Sequence, residues 1–151
     1  MRIENWTEAY AREVEGWQYE PPYDFYDLRS DPADAAEMRD PAKRDHYRAV
    51  LADQGHLDAF WYFDWHEGVV EVGIGLRPDL TGRGLGESYF QAQLDYASHE
   101  WIPTRFRLFV TAWNERAIRL YDRLGFREVG RETRHFELAG DHQFLRMERP
   151  A

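Results

Sequence analysis

With 151 residues, 43% hydrophobic and 31% charged, the chain has the size and composition of one soluble globular domain with a real core. A net charge of −9, with Lys43 as the only lysine, argues against a nucleic-acid surface and suits a cationic partner better. The absence of cysteine removes disulfides, thiolate metal sites and any covalent cysteine intermediate.

No apolar run reaches the length of a membrane span, and "MRIENWTEAY" has acidic residues and no apolar core. Neither a membrane partner nor a secretory leader is expected, and the cytoplasm is the expected location. "IENW" is short enough for an opening strand, and Thr7 is placed to cap the helix "EAYAREVEGW". "QYEPPYDFYDL", with two prolines among its rings, reads as a loop or broken helix. Asp31 caps a second helix, "PADAAEMRD", with Pro32 at its first position. "HYRAVLA", "LDAFWYFDW" and "VVEVGIGL" read as strands joined by the turns "DQG" and "HEG".

A glycine cluster follows, then a helix with Leu85, Tyr89, Ala92 and Tyr96 on one face, widened by Phe90, Leu94, Ala97 and Trp101 and ended by Pro103. "RFRLFVTA" is β-rich. Asn114 caps a last helix striped by Ala117, Leu120, Tyr121 and Leu124, with Gly125 as its stop. "REVGRETRHFEL" and "DHQFLRMER" read as two strands around the turn "AGD". No repeat or linker interrupts this order, so a single domain over residues 1–151 is expected. Strands come both as hairpins and separated by helices, which predicts an α/β fold with a mixed sheet.

"LRPDLTGRGLGESYF" places Gly82, Gly84 and Gly86 between a strand and a helix. Glycine allows a tight turn and lets the main chain approach an anion with no Cβ between, at a helix N-terminus that favours negative charge. Arg77 and Arg83 add positive charge. The nucleoside-triphosphate loop needs Lys-Ser or Lys-Thr after its last glycine, where this chain has Glu87, and the dinucleotide fingerprint fails because Gly86 comes one residue early. A tight connection that binds nothing, or a phosphate site unrelated to either, fits the glycines alone as well.

Taken with "NERAIRLYDRLGF", the stretch "RPDLTGRGLG" resembles the GNAT superfamily of N-acetyltransferases, the two segments covering roughly residues 69–127. They are similar to that family's pyrophosphate loop, Q/R-x-x-G-x-G/A, and to its N-x-x-A-x-x-x-Y-x-x-x-G-F segment. Thr81 departs from the pattern at the Q/R position. The resemblance implies a twisted mixed sheet flanked by helices and acetyl-CoA as acyl-donor cosubstrate. It implies that Gly82, Arg83, Gly84, Leu85 and Gly86 hold the pyrophosphate through main-chain groups. Gly75, Leu76 and Arg77 would pair with the pantetheine arm, Asn114 would contact the cofactor, and Tyr121 would stand by its sulfur. A homodimer is compatible with the family, though no residue pattern here establishes one.

Without cysteine, the expected route is direct attack of a primary amine, from a small molecule or a peptide, in a ternary complex. Tyr121 is the candidate acid for the leaving thiolate, since an unperturbed tyrosine holds its proton above an ordinary thiol; core packing on the helix stripe is its other reading. Glu71, a carboxylate among apolar strand neighbours, is the candidate base, with an outward-facing strand residue as the alternative. Trp17, Tyr19, Tyr23, Phe25 and Tyr26 are candidates to line the acceptor pocket, with Glu20, Asp24 and Asp27 offering carboxylates to a cation; a minor core under a loop is the plainer reading. His135 and His142 are candidate substrate-side groups, His66 and Glu67 are expected at a solvated turn, and no spacing suggests a metal. The rival from another class is a non-catalytic acyl-CoA-binding sensor or interaction module.

Overall fold

Capping chemistry starts the helices where the sequence places them. In the computed structural model, which describes residues 1–151, the Thr7 side chain accepts the Tyr10 N–H and opens α1 (Glu8–Glu15). Asp31 accepts the Asp34 N–H at the start of α2 (Pro32–Arg39), with Pro32 in the first turn, where no donor is needed. Two short 3₁₀ turns, Tyr23–Tyr26 and Leu28–Ser30, make up the broken segment between them.

The other elements are β1 (Arg2–Asn5), β2 (Tyr47–Leu51), β3 (Leu57–His66), β4 (Val69–Leu76), α3 (Gly86–Trp101), β5 (Arg105–Thr111), α4 (Glu115–Arg123), β6 (Arg127–Phe136) and β7 (Gly140–Pro150). One seven-stranded sheet runs in the order β1-β2-β3-β4-β5-β7-β6. It is mixed: β4 and β5 are parallel, while β1–β2, β2–β3 and β5–β7 are antiparallel. Several ends shift by a residue or two, as in α1, which stops at Glu15 and not at Trp17, and two of the shifts have a visible cause. The strand read in "HYRAVLA" begins at Tyr47, because His46 closes a 3₁₀ turn over Pro41–His46. The last hairpin turns at residues 137–139, not on "AGD", because Gly140 at φ +77° already begins β7.

The chain divides into two compact units: residues 1–62, 74–83 and 136–140, and residues 63–73, 84–135 and 141–151. In the first, Trp6, Ala11, Val14, Trp17, Leu28, Met38, Tyr47 and Leu57 form a buried cluster. The Trp6 indole N–H is satisfied by the Met38 carbonyl at 2.9 Å, so this large ring is buried without an orphaned donor. In the second, Phe63, Val70, Val72, Phe90, Leu94, Phe106, Leu108 and Phe126 are buried. No helix is long and apolar enough to cross a membrane.

One carboxylate in the first unit carries a stability signature. Burial, then the neighbouring charges of Asp31 and Glu37, push the Asp34 carboxyl up to about 6 from its ordinary 3.8. Folded Asp34 therefore keeps a proton that the unfolded chain releases near pH 4, so stability falls as pH rises from about 4 to 6. Asp34→Asn is expected to raise stability at pH 7 by up to roughly 3 kcal/mol, with no gain below about pH 4. Urea melts of both proteins at the two pH values check this; a gain independent of pH would contradict it.

Candidate active site

The end of β4 is held from three sides within the first unit. The Arg77 N–H donates to the Asp58 carbonyl at 2.8 Å, continuing the pairing with β3. The Tyr19 hydroxyl donates to the Leu76 carbonyl at 2.5 Å, and the Tyr19 N–H donates to Asp27 Oδ1 at 2.9 Å. Burial and the Asp27 carboxylate raise the Tyr19 pKa, so the hydroxyl remains a donor. A Cβ built on Gly75 would lie 2.1 Å from Phe60 Cε1, so the ring of Phe60 takes the space that any other residue would need.

Beyond β4 the chain makes a 3₁₀ turn over Pro78–Leu80, and the Thr81 hydroxyl closes it by donating to the Pro78 carbonyl at 2.6 Å. Thr81, the departure from the family pattern, thus stabilises the turn itself. Gly82 (φ +69°) and Gly84 (φ +74°) then take left-handed conformations that favour glycine. A Cβ on Gly84 would meet nothing within 4 Å, which leaves open room over the main chain there. Helix α3 begins at Gly86 behind Leu85 with no side-chain cap, whereas Thr7, Asp31 and Asn114 cap the other three α-helices. Its first N–H groups and its positive dipole end follow directly from the glycine turn. The Arg77 charge is balanced by Asp79 at 2.6 Å and Asp58 at 3.5 Å, so the positive charge expected beside the turn comes chiefly from Arg83, which is exposed.

Helix α4 positions the tyrosine. Asn114, 7% exposed, accepts the Ala117 N–H at 3.2 Å and opens the helix. At the other end the Phe126 N–H donates to the Tyr121 carbonyl and the Gly125 N–H to that of Asp122, with Gly125 at φ +92°. This is a Schellman cap, which only a residue tolerant of positive φ completes well. The Tyr121 ring sits 4.9 Å from the Phe90 ring and 6.3 Å from the Phe126 ring, centroid to centroid. No α4 residue is fully buried, so its apolar stripe is only half covered.

Glu71 lies between the buried Val70 and Val72, on the opposite pleat, and is registered with Arg107 of β5. Burial raises its pKa, with Asp64 and Glu132 pushing the same way and Arg134 and Arg107 opposing. That combination makes Glu71 a stronger base than an exposed glutamate. His66, the last residue of β3, and Glu67, in the turn that follows it, are exposed, His135 pairs with Asp141 at 2.7 Å on the surface, and no group of three or more His, Asp or Glu is placed to hold a metal.

The sequence matches the Acetyltransferase (GNAT) family over residues 2–126. The chain belongs to the GNAT acetyltransferase family. It is 51% identical over 53 residues to the mycothiol acetyltransferase of Acidimicrobium ferrooxidans, a match covering 35% of this chain and 17% of that protein. To the mycothiol acetyltransferase of Streptomyces avermitilis it is 37% identical over 75 residues, covering 48% and 24% respectively. The chain thus matches about a fifth of the length of these relatives. Among solved structures, the spermidine N-acetyltransferase of Vibrio cholerae in complex with CoA and spermine superposes with a TM-score of 0.69 at 19% identity, covering 99% of this chain and 94% of that one. A GNAT-family acetyltransferase from Bacillus anthracis gives 0.74 at 15% identity, covering 98% and 93%. Both likenesses concern the fold. GNAT acetyltransferases take their acyl group from acetyl-CoA.

Among the rings expected around the acceptor of this GNAT domain, Trp17 is 7% exposed and belongs to the core, packed near Phe60. Tyr23, Phe25 and Tyr26 remain partly exposed, with Phe25 edge-on to Tyr26 and to Phe136. Asp27 is buried and engaged by the Tyr19 N–H, which leaves Glu20 and Asp24 as the exposed carboxylates of the loop. The helical periodicity of α3 missed Gln93. It is completely buried on the face formed by Phe90, Leu94 and Ala97, whereas Tyr89, Ala92 and Tyr96 are half-buried. A polar residue in phase with an apolar stripe is the one signal that could have marked it.

Proposed function

We propose that this GNAT domain transfers an acetyl group from acetyl-CoA directly to a primary amine of a small molecule or peptide. The observation that carries this reading is the uncapped start of α3 behind two left-handed glycines, within a chain that matches the family. Main-chain groups of Gly82, Arg83, Gly84, Leu85 and Gly86 would hold the pyrophosphate, because a helix N-terminus offers N–H donors and favourable potential. Gly75, Leu76 and Arg77 would receive the pantetheine arm along the β4 edge, and Asn114 would add a cofactor contact.

Acetyl-CoA supplies the activated thioester carbonyl. A main-chain N–H near Leu76 would face the oxygen on which charge develops. Glu71 takes a proton from the amine through a water, and the Tyr121 hydroxyl gives one to the thiolate as it leaves. With no cysteine in the chain, an acetyl-cysteine intermediate is excluded. Tyr19, Tyr23, Phe25 and Tyr26 would line the acceptor side, with Glu20 and Asp24 favouring a cationic amine.

Calorimetric titration of the purified protein with acetyl-CoA, CoA and ATP tests the reading. Both CoA species are expected to bind and ATP only weakly, after which an amine library is screened for thiol release. Equal binding of ATP, or no binding of CoA, would return the glycines to a phosphate site of another kind or to a tight turn.

A further inference from the structure

Strands β4 and β5 pair through only three residues of each: Val69↔Arg105, Val70↔Phe106 and Glu71↔Arg107. Beyond that point β4 runs on to Leu76, and β5 runs on to Thr111 along β7. Two residues past the last pair, the Gly73 carbonyl accepts a hydrogen bond from Gln93 Nε2 of α3 at 2.8 Å. Gln93 has 0% exposure, and its buried companions on α3 are Phe90, Leu94 and Ala97. A primary amide in such a place is unfavourable unless it is hydrogen-bonded, and an apolar residue of similar size would fill the space at lower desolvation cost. What the amide supplies, and an apolar residue could not, is a donor to a β4 main-chain carbonyl two residues past the last β4–β5 pair.

We infer that Gln93 is a positioning residue for donor binding: it bonds β4 to α3 just beyond the point where the β4–β5 pairing ends. The same helix begins two turns earlier at Gly86, at the end of the glycine turn. Gln93 therefore ties the helix whose first turn belongs to the proposed phosphate cradle to β4 at Gly73, within the second unit. The inference rests on the acetyl-CoA reading only for its functional consequence; the tie itself concerns the chain alone.

Two variants and two readouts test it. In Gln93→Leu the Gly73 carbonyl loses its donor, and acetyl-CoA affinity by calorimetry is expected to fall ~10-fold, the equivalent of one buried hydrogen bond, in a protein that still melts cooperatively. Gln93→Glu adds a signature that a purely structural role would lack. At pH 8 its carboxylate cannot donate and affinity falls as in Gln93→Leu, whereas at pH 5.5 the buried, protonated carboxyl donates to Gly73 and affinity returns to within about 3-fold of wild type. Affinities are compared with wild type at the same pH, which cancels the titration of the nucleotide itself.

Amide exchange at residues 72–76, measured without ligand, reads the tie independently and is expected to quicken ~10-fold in Gln93→Leu. Affinity within twofold of wild type in Gln93→Leu, or a Gln93→Glu ratio that does not change with pH, would overturn the inference. If wild type itself fails to bind acetyl-CoA, the donor reading falls, and unchanged exchange in Gln93→Leu would remove the positioning role as well.

Discussion

Replacing Tyr121 with phenylalanine is expected to lower kcat by roughly 100-fold or more while leaving acetyl-CoA affinity nearly unchanged. The ring is held by Phe90 and by the Schellman cap that fixes its own carbonyl, and both contacts survive loss of the hydroxyl. On the proposed mechanism the change removes the proton donor and keeps the ring. Under that proposal the leaving thiolate would take its proton from water, which is neither positioned nor matched in acidity. Steady-state kinetics and calorimetry on the same preparation check the split, and Glu71→Gln, which removes the proposed base and should lower kcat as well, serves as the companion variant. A Tyr121→Phe enzyme with undiminished kcat would assign the tyrosine to packing, and wild-type protein that binds acetyl-CoA without turnover on any amine would favour the sensor alternative.

The largest effect on stability is expected at Gly75. An alanine there puts its Cβ 2.1, 2.4 and 2.9 Å from three atoms of the Phe60 ring. That ring cannot move freely, because Trp6 and Trp17 flank it at 6.1 and 6.2 Å between centroids. Overpacking of this kind typically costs about 1–3 kcal/mol, and the rigid aromatic neighbours place Gly75→Ala at or above the upper end. Urea denaturation measures the loss. Adding Phe60→Ala should recover part of it, so that the double variant is more stable than the sum of the single effects predicts. Strict additivity would show that the strand moves and the ring does not. Acetyl-CoA affinity is expected to drop in Gly75→Ala as well, since the displaced residue adjoins Leu76 on the proposed donor edge.

Much of the candidate site was legible because its chemistry is local. Thr7, Asp31 and Asn114 each cap the helix that begins one residue later, and Gly125 stops α4 through two bonds that span at most five residues. The strand–glycine–helix order around Gly82, Gly84 and Gly86 was readable for the same reason. Partnerships across the chain were not. Asp27 looked like a free carboxylate for a cation and instead holds the Tyr19 N–H; Arg77 looked like charge for an anion and is balanced by Asp58 and Asp79. Trp17 looked like a pocket ring and lies in the core.

Element order, helix caps, the glycine turn and family membership could all be read along the chain, because each depends on patterns confined to short stretches of it. It took the folded chain to bring the Tyr19 hydroxyl to the Leu76 carbonyl 57 positions away, and Gln93 back 20 positions to Gly73. Those bonds follow from strand register and from where β4 stops pairing with β5. Register is a collective outcome of packing many side chains at once, and no short window of sequence contains it.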